Sequence, residues 1–424
     1  MTLLFAVFFF FLMLGMPVAF SMLISSVAYM LANDISLVMV LPRFASGVDS
    51  FPLLAVAFFT LSGNIMNTGG VTKRIFSWAD HLVGHFTGGL AHTNVLASVI
   101  FAGMSGSAIA DTGGLGAIEL KAMKDAGYDE DISLAVTGAS SLIGPIIPPS
   151  VPLIIFGVTA STSVGALFNA GIIPGFIIAG IMMFLNWLIC KGKNYDKRKR
   201  STFKEFWNCT KWSFWSLLLP IAIRVGISFG VFTPTEAAIF AVVYGTVLGF
   251  AYRDLSLKSL LQMMRDTLST VTGILFMISS ATLFGWILTY SMIPQKVAAT
   301  LLALTTNPLW ALLLIVAILL VIGCFMDLTP AILIMTPVLL PFVKALGIDI
   351  VLFGLLMVLC LLIGLVTPPV GMVLFVLSSV SGVKVERISR AILPYIAACV
   401  LFVILLVVYM VLVMKYPQIP LIYW

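Results

Sequence analysis

Two stretches of this 424-residue chain, 220 positions apart, repeat one another at glycines and prolines rather than at the apolar residues around them. The first reads GMSGSAIAD from Gly103, KDAGYD from Lys124 and LIGPIIPPSVP from Leu142, with Pro174 beyond. The second reads GCFMDLTP from Gly323, KALGID from Lys344 and LIGLVTPPVGM from Leu362, with Pro394 beyond. At that one offset Gly103, Lys124, Gly127 and Asp129 meet Gly323, Lys344, Gly347 and Asp349. Leu142, Gly144, Pro148, Pro149, Ser161 and Pro174 meet Leu362, Gly364, Pro368, Pro369, Ser381 and Pro394. Shared lipid exposure does not select helix breakers and turn residues, so the match reads as a duplicated, broken-helix unit.

Composition fixes the solvent of this unit. The chain is 61% apolar and 9% charged, with a mean hydropathy of +1.15. Apolar runs long enough to cross a bilayer recur, among them 172–189, 271–288 and 391–414. The reading is an all-α polytopic membrane protein of the inner-membrane type, with no soluble domain between spans. The net charge of +6 does not indicate nucleic acid, because the basic residues sit in short loops. The start is apolar from Leu3 and lacks a basic leader, so it reads as a first span, not a cleaved signal. Cys190, Cys209, Cys324, Cys360 and Cys399 have no metal or disulfide spacing and read as packing residues. A duplicated pair of Gly/Pro-broken apolar segments points to the midplane binding site of a secondary transporter.

Charge sets the orientation. The densest basic segment, 191–211, is predicted cytoplasmic, with Lys193, Lys197, Arg198, Lys199 and Arg200 nearly consecutive. Counting back through 166–190 puts the uncharged turn near Thr162 outside. Its partner near Gly382 carries Lys384, Arg387 and Arg390 and reads as cytoplasmic. Equivalent turns on opposite sides make the repeats inverted. Inverted repeat 1 then covers 1–190, the basic cytoplasmic loop 191–211, and inverted repeat 2 covers 212–424. Each repeat carries a re-entrant hairpin, about 88–124 entering from the cytoplasm and about 307–345 from outside. Each also carries a broken helix, about 132–160 and 350–382. The remaining spans are placed at 2–15, 18–33, 51–68, 166–190, 213–231, 235–252, 267–290 and 391–414. Lys73, Arg74, Arg253, Lys258 and Arg265 fall inside, and the C-terminal end with Trp424 outside. TKRIFSWADHLVGHF, from Thr72, reads as an amphipathic interfacial helix. Its His81 and His85 lack a third ligand and read as polar-face residues, not a metal pair.

Irregular backbone at membrane depth survives only where protein or a water-filled cavity satisfies its polar groups. Tip 1, Gly103–Ser107, offers hydroxyls and freed carbonyls with Asp111 close behind. The opposing break, Gly144–Pro149, exposes carbonyls because Pro148 and Pro149 donate no hydrogen bond. The second unit offers Gly323, Met326, Asp327 and Thr329 opposite Gly364, Thr367 and Met372. Oxygen ligands without thiolate or imidazole suit a hard cation such as Na+. Close packing alone explains the glycines but not the carboxylates beside them, since a midplane carboxylate costs roughly 2.5–3.5 kcal/mol. Asn64 and Asn67 suit either a cavity wall or a helix–helix bond. Glu236 reads as a helix cap with Thr233 or Thr235, Arg224 as a residue snorkelling to the outer interface, and Glu119 and Lys121 as a solvated hairpin base.

GMSGSAIAD, SSLIGPIIPPSVPLIIFGV, GVFTPTEAA and LIGLVTPPVGMVLF, in that order, closely resemble the large membrane (M) subunit of tripartite ATP-independent periplasmic (TRAP) transporters. The resemblance runs from the first span to the last. It implies an elevator-type, Na+-coupled uptake system for organic acids such as sialic acid or C4-dicarboxylates. It also implies a small four-helix membrane subunit and a periplasmic substrate-binding protein. Because Met1 leads almost directly into a span, the small subunit is expected as a separate chain. Residue by residue, the resemblance implies Ser105, Ser107, Gly144, Ile147 and Pro149 around a first sodium. It implies Gly323, Asp327, Gly364, Thr367 and Met372 around a second, with two or more coupling ions in all. Ser105, Ser107 and Asp111 then border the substrate.

A channel would need a continuous polar path, whereas the polar residues cluster at one depth. An intramembrane aspartyl protease would need Asp111 and Asp327 as neighbours on spans, not in separate tips. A one-chain Na+/carboxylate symporter remains the alternative. No P-loop is present, so ATP is not expected to drive the process.

Overall fold

The computed structural model describes residues 2–193, 195, 198–416, 418 and 421, and among them there is no β-strand. Lys197 of the basic segment and Trp424, expected outside, lie beyond the described residues. Gly15, at φ +81°, and Pro17 separate α1 (Thr2–Met13) from α2 (Val18–Ala32), which pack side by side. At 1.5 Å per residue α1 is about 18 Å long, too short to cross a hydrocarbon core of about 30 Å alone. The expected spans 2–15 and 18–33 are thus a pair of short helices.

A short α3 (Val40–Ser46) leads to α4 (Leu53–Thr68), and Gly70, at φ +73°, turns the chain into the amphipathic α5 (Val71–Val83). The first duplicated unit follows as α6 (Gly89–Ser105), α7 (Ala108–Gly113), α8 (Leu115–Asp125), α9 (Glu130–Ser140), α10 (Val151–Thr159) and α11 (Val164–Cys190). The chain continues through α12 (Phe203–Ser228), α13 (Pro234–Ala251), α14 (Leu257–Tyr290) and α15 (Ile293–Leu304). The second unit is α16 (Pro308–Phe325), α17 (Leu328–Ala345), α18 (Ile350–Leu365), α19 (Met372–Ser381) and α20 (Val385–Lys415).

The offset seen in sequence recurs in packing. α4 lies against α13 as α14 lies against α2; α10 lies against α17 as α19 lies against α7; α9 lies against α20 as α18 lies against α11. Both double prolines, Pro148–Pro149 and Pro368–Pro369, are cis. Among the described residues, α11, α13, α14, α16, α17 and α20 are long and apolar enough to cross a membrane singly.

Three of the longer helices differ from the sequence expectation, and capping explains two of them. Thr202 and Glu205 form a capping box, with Thr202 N–H donating to Glu205 Oε2 at 2.9 Å. That box starts α12 at Phe203 rather than 213, so the last nine residues of the basic segment 191–211 are helical. Ser256 Oγ accepts from Ser259 N–H at 3.1 Å and starts α14 at Leu257, ten residues before the expected 267. The third, α15, was not expected; it precedes α16 as α5 precedes α6.

Ion pairs gather the basic loops on one face. Lys193 pairs with Asp129 at the base of the first hairpin, and Arg198 pairs with Asp80 on α5. Arg74 reaches Asp254 after α13 at 3.2 Å, and Arg387 on α20 reaches Glu130 and Asp131 at 2.9 and 2.6 Å. The Lys193 ammonium holds the Asp129 carboxyl below its ordinary range. The turns at 125–130, 251–257 and 382–385 and the described residues of 191–202 therefore lie on one side of the molecule. His81 is engaged on this face by the carbonyl of Ser77, at 2.8 Å, and by Arg198. Glu236 forms a capping box with Thr233.

Candidate functional site

Each hairpin turns over in two or three residues, and glycine permits the closest approach. α6 ends at Ser105, Gly106 takes φ +60°, and Ser107 opens α7 by accepting from Ala110 N–H at 3.4 Å. A β-carbon on Gly106 would stand 2.7 Å from the Pro149 carbonyl oxygen and 3.1 Å from Val151 N. No side chain fits between tip 1 and the broken helix. The break itself is closed by Ser150, whose hydroxyl donates to the Pro145 carbonyl and accepts from Leu153 N–H. Ser105 Oγ donates to Asp111 Oδ1, and the other Asp111 oxygen faces the bare Cα of Gly144.

Ser105, Ser107, Gly144 and Pro149 therefore meet at one junction. Ile147 is wholly buried and turns its side chain onto Gly175 of α11, so only its backbone is free to serve. Asp111 sits behind Ser105, buried, and does not line the cavity described below. Glu119 is buried as well, at 1% exposure, and is not the solvated hairpin base expected; of that base only Lys121 is exposed. At the repeat offset the place of Glu119 is taken by Leu339, which is equally buried.

The second junction is a crossing of glycines. A β-carbon on Gly323 of α16 would stand 3.1 Å from the Leu361 carbonyl oxygen and 3.2 Å from Gly364 Cα. One on Gly364 of α18 would overlap the Gly323 backbone. Val370 N–H donates to the Cys324 carbonyl at 3.2 Å, tying the second break to the second tip. Thr367 Oγ1 donates to the Ile363 carbonyl at 2.6 Å, leaving its lone pairs available. Asp327 is the residue before α17, with extended backbone. Met372, the first residue of α19, is 40% exposed, and no contact places its side chain at the tip.

Both tips border one cavity of about 370 Å³. Its wall combines Ser105–Ala110 from tip 1, Asp327–Thr329 from tip 2, Val151 and Pro152 from α10, and Thr60, Asn64 and Thr270 from α4 and α14. Asn64 Nδ2 donates to Thr267 Oγ1 at 3.0 Å, so it serves as both helix bond and cavity wall. Asn67 instead accepts from Thr72 Oγ1 at 3.2 Å and packs under Gly114. Thr60 and Thr270 were missed in sequence, where lone threonines in apolar helices carry no distinguishing signal. No lysine or arginine lines the cavity among the described residues. The N-terminal ends of α10 and α17 abut it instead.

Comparison with known proteins identifies the family. The family model for the tripartite ATP-independent periplasmic transporter, DctM component, matches residues 5–412. The sialic acid TRAP transporter large permease protein SiaM of Vibrio cholerae is 42% identical over 396 residues, covering 93% of this chain and 92% of that one. The sialic acid TRAP transporter permease protein SiaT of Haemophilus influenzae is 39% identical, and the matched region covers 93% of this chain but 65% of that longer protein. Among solved structures, the Alcanivorax borkumensis YdaH transporter superposes with a TM-score of 0.67 at 18% identity, covering 89% of this chain and 88% of that chain, which speaks to fold alone.

Proposed function

This chain belongs to the DctM component family of tripartite ATP-independent periplasmic transporters, multi-pass proteins of the bacterial inner membrane, and from that premise we propose that it drives Na+-coupled uptake of an organic acid. The acid is of the sialic-acid or C4-dicarboxylate type, and sialic acid is favoured by the names of the two relatives above. The observation that carries this reading is the single cavity of about 370 Å³ bordered by both tips, without a cationic side chain on its wall. An anionic substrate there is held by Ser105, Ser107, Thr329 and the N-terminal ends of α10 and α17. Asp111 acts on it through Ser105.

The cations occupy the two junctions. The first sodium is held by Ser105, Ser107, Gly144, Ile147 and Pro149, mostly through backbone oxygens. The second is held by Gly323, Asp327, Gly364 and Thr367, with the Met372 backbone nearest the break. Binding at either junction links a hairpin tip to a broken helix, so cation and substrate order the same cavity wall. The two units with their hairpins then move as an elevator against α2, α4, α13 and α14. A separate four-helix membrane subunit enlarges that scaffold, and a periplasmic binding protein delivers the acid.

Reconstitution tests the reading. Proteoliposomes holding this chain, the small subunit and the loaded binding protein are expected to accumulate N-acetylneuraminate under an inward Na+ gradient. Transport insensitive to both Na+ and voltage would sink the coupling scheme. Robust, saturable uptake by this chain alone would favour a one-chain symporter.

A further inference from the structure

Arg224 interrupts an apolar stretch of α12, LLLPIAIRVGI, four residues before the helix ends at Ser228. At 1.5 Å per residue it lies about 6 Å from the end of a helix about 39 Å long, near the edge of a hydrocarbon core of about 30 Å. Ser228 Oγ donates to Asn169 Oδ1 of α11 at 3.3 Å, which sets those two positions level. Phe176 lies two turns, about 10 Å, further along α11 than Asn169. The Arg224 guanidinium stands over that ring, 5.4 Å from its centroid, so it is not lifted outwards as the expected snorkelling requires. Its Nε is buried without a hydrogen-bond partner, and Arg224 belongs to no ion pair among the described residues.

The guanidinium borders a groove of about 460 Å³ between α5, α6, α11 and α12. Leu96, Val99 and Ile100 of α6 face Leu217, Ile221 and Val225 of α12 across it, and no carboxylate lines it among the described residues. Ile221 and Val225 are exposed, so the groove opens sideways to the surrounding hydrocarbon. Trp78 of α5 lines it too, and its indole donates to Thr210, about 21 Å from Arg224 along α12. That run exceeds the depth of one leaflet, about 15 Å.

A buried, unpaired guanidinium is unfavourable until an anion meets it. The occupant must therefore be negative at one end and apolar along the rest, which is the chemistry of a phospholipid. Its phosphate suits the planar fork of an arginine, and the Asn169 amide keeps its N–H groups for the same head group. A zwitterionic head group would bring an ammonium for which the wall offers no carboxylate, so a net anionic lipid fits better. The groove also adjoins the first tip. Pro220 lines it, and a β-carbon on Gly103, two residues before Ser105, would stand 2.7 Å from the Pro220 β-carbon.

We propose that this groove holds an anionic phospholipid, with its phosphate on Arg224 and one acyl chain along α6 and α12, where it steadies the contact behind tip 1. The proposal is independent of the Na+-coupled reading.

The test is titration of phosphatidylglycerol or phosphatidylcholine into the delipidated, detergent-purified chain, with bound lipid counted by native mass spectrometry. Wild type is expected to bind phosphatidylglycerol about 10-fold more tightly than phosphatidylcholine, and Arg224→Gln to lose that preference. Arg43→Gln, which removes an exposed arginine over Trp286, should keep it. If Arg224→Gln does not fold, Ile221→Trp, which fills the groove and leaves the charge in place, must weaken phosphatidylglycerol binding. Equal binding of the two lipids by wild type overturns the proposal, and so does an undiminished preference in Arg224→Gln. Equal losses in Arg43→Gln and Arg224→Gln would report general surface charge and overturn it too. If Arg224→Gln keeps the lipid but no longer co-purifies with the small membrane subunit, the groove seats a protein helix and the lipid assignment is wrong.

Discussion

Adding one methyl group at Gly364 tests the second junction most directly. Its β-carbon would be driven into the backbone of Gly323 on α16, and backbone cannot rotate out of the way as a side chain can. The α16–α18 crossing must open, carrying the tip away from the break that Val370 N–H and the Cys324 carbonyl now join at 3.2 Å. Overpacking of a well-filled interior costs about 1–3 kcal/mol. Rigid neighbours put Gly364→Ala at the upper end of that range. If the whole cost falls on the cation-bound state, the Na+ concentration for half-maximal uptake rises about 5- to 150-fold. Gly323→Ala meets atoms at 3.1–3.2 Å and should be milder.

Gly180 on α11 supplies the control, because a β-carbon there meets nothing within 4 Å. In that helix Gly180→Ala should be neutral or stabilising by about 0.5–1 kcal/mol from propensity alone. The assay is Na+-titrated uptake in proteoliposomes, with thermal unfolding in detergent to separate folding from binding. If Gly364→Ala keeps the wild-type Na+ titration and unfolding temperature, the glycine crossing is not a cation junction.

Thr367→Ala should weaken Na+ dependence while the chain stays folded, since it removes one oxygen from a carbonyl-rich site; Asp327→Asn should do so more severely, because a carboxylate partly neutralises Na+ in low dielectric. Unchanged Na+ titrations in both would displace the second site. A cysteine at position 198 should label from the cytoplasmic side only, and labelling from outside in spheroplasts would invert the whole arrangement. With two Na+ per singly charged acid, a tenfold Na+ gradient contributes roughly 1.4 kcal/mol per ion. Another 2.3 kcal/mol or so comes from 100 mV acting on the net charge. The total of about 5 kcal/mol supports roughly 10³- to 10⁴-fold accumulation, so uptake should accelerate with an inside-negative potential and ignore ATP. Expressed without the small subunit and the loaded binding protein, the chain should transport negligibly, which an uptake assay with and without them checks.

What was legible in the sequence was punctuation. Gly106, Pro148, Pro149, Gly364 and Pro368 stop or bend helices by local stereochemistry, wherever the chain is folded. Their spacing therefore places the ends of α6, α9, α16 and α18 to within a few residues. Starts were less legible, because a cap competes over several residues of equal propensity. Thr202–Glu205 and Ser256 lengthened α12 and α14 into segments whose charge had made them read as loops. The cavity wall was half visible: Ser105 and Ser107 sit beside breakers, whereas Thr60 and Thr270 come from unbroken helices and are recruited only by packing.

Glu119 shows the opposite failure, since its signal was present and outweighed. The segment LGAIELKAMKD also carries Lys121, Lys124 and Asp125, and four charged groups close together read as a solvated face. Helical period separates them. Leu115, Gly116, Glu119 and Met123 recur at spacings of three to four and form the buried face, while Lys121 and Lys124 fall on the exposed side. The repeat offset says the same independently, because the residue equivalent to Glu119 is a leucine. A duplicated fold thus provides its own control. Where one copy buries an acid and the other an aliphatic residue in the same place, the acid is not there for packing, and the difference marks a task that the two copies do not share.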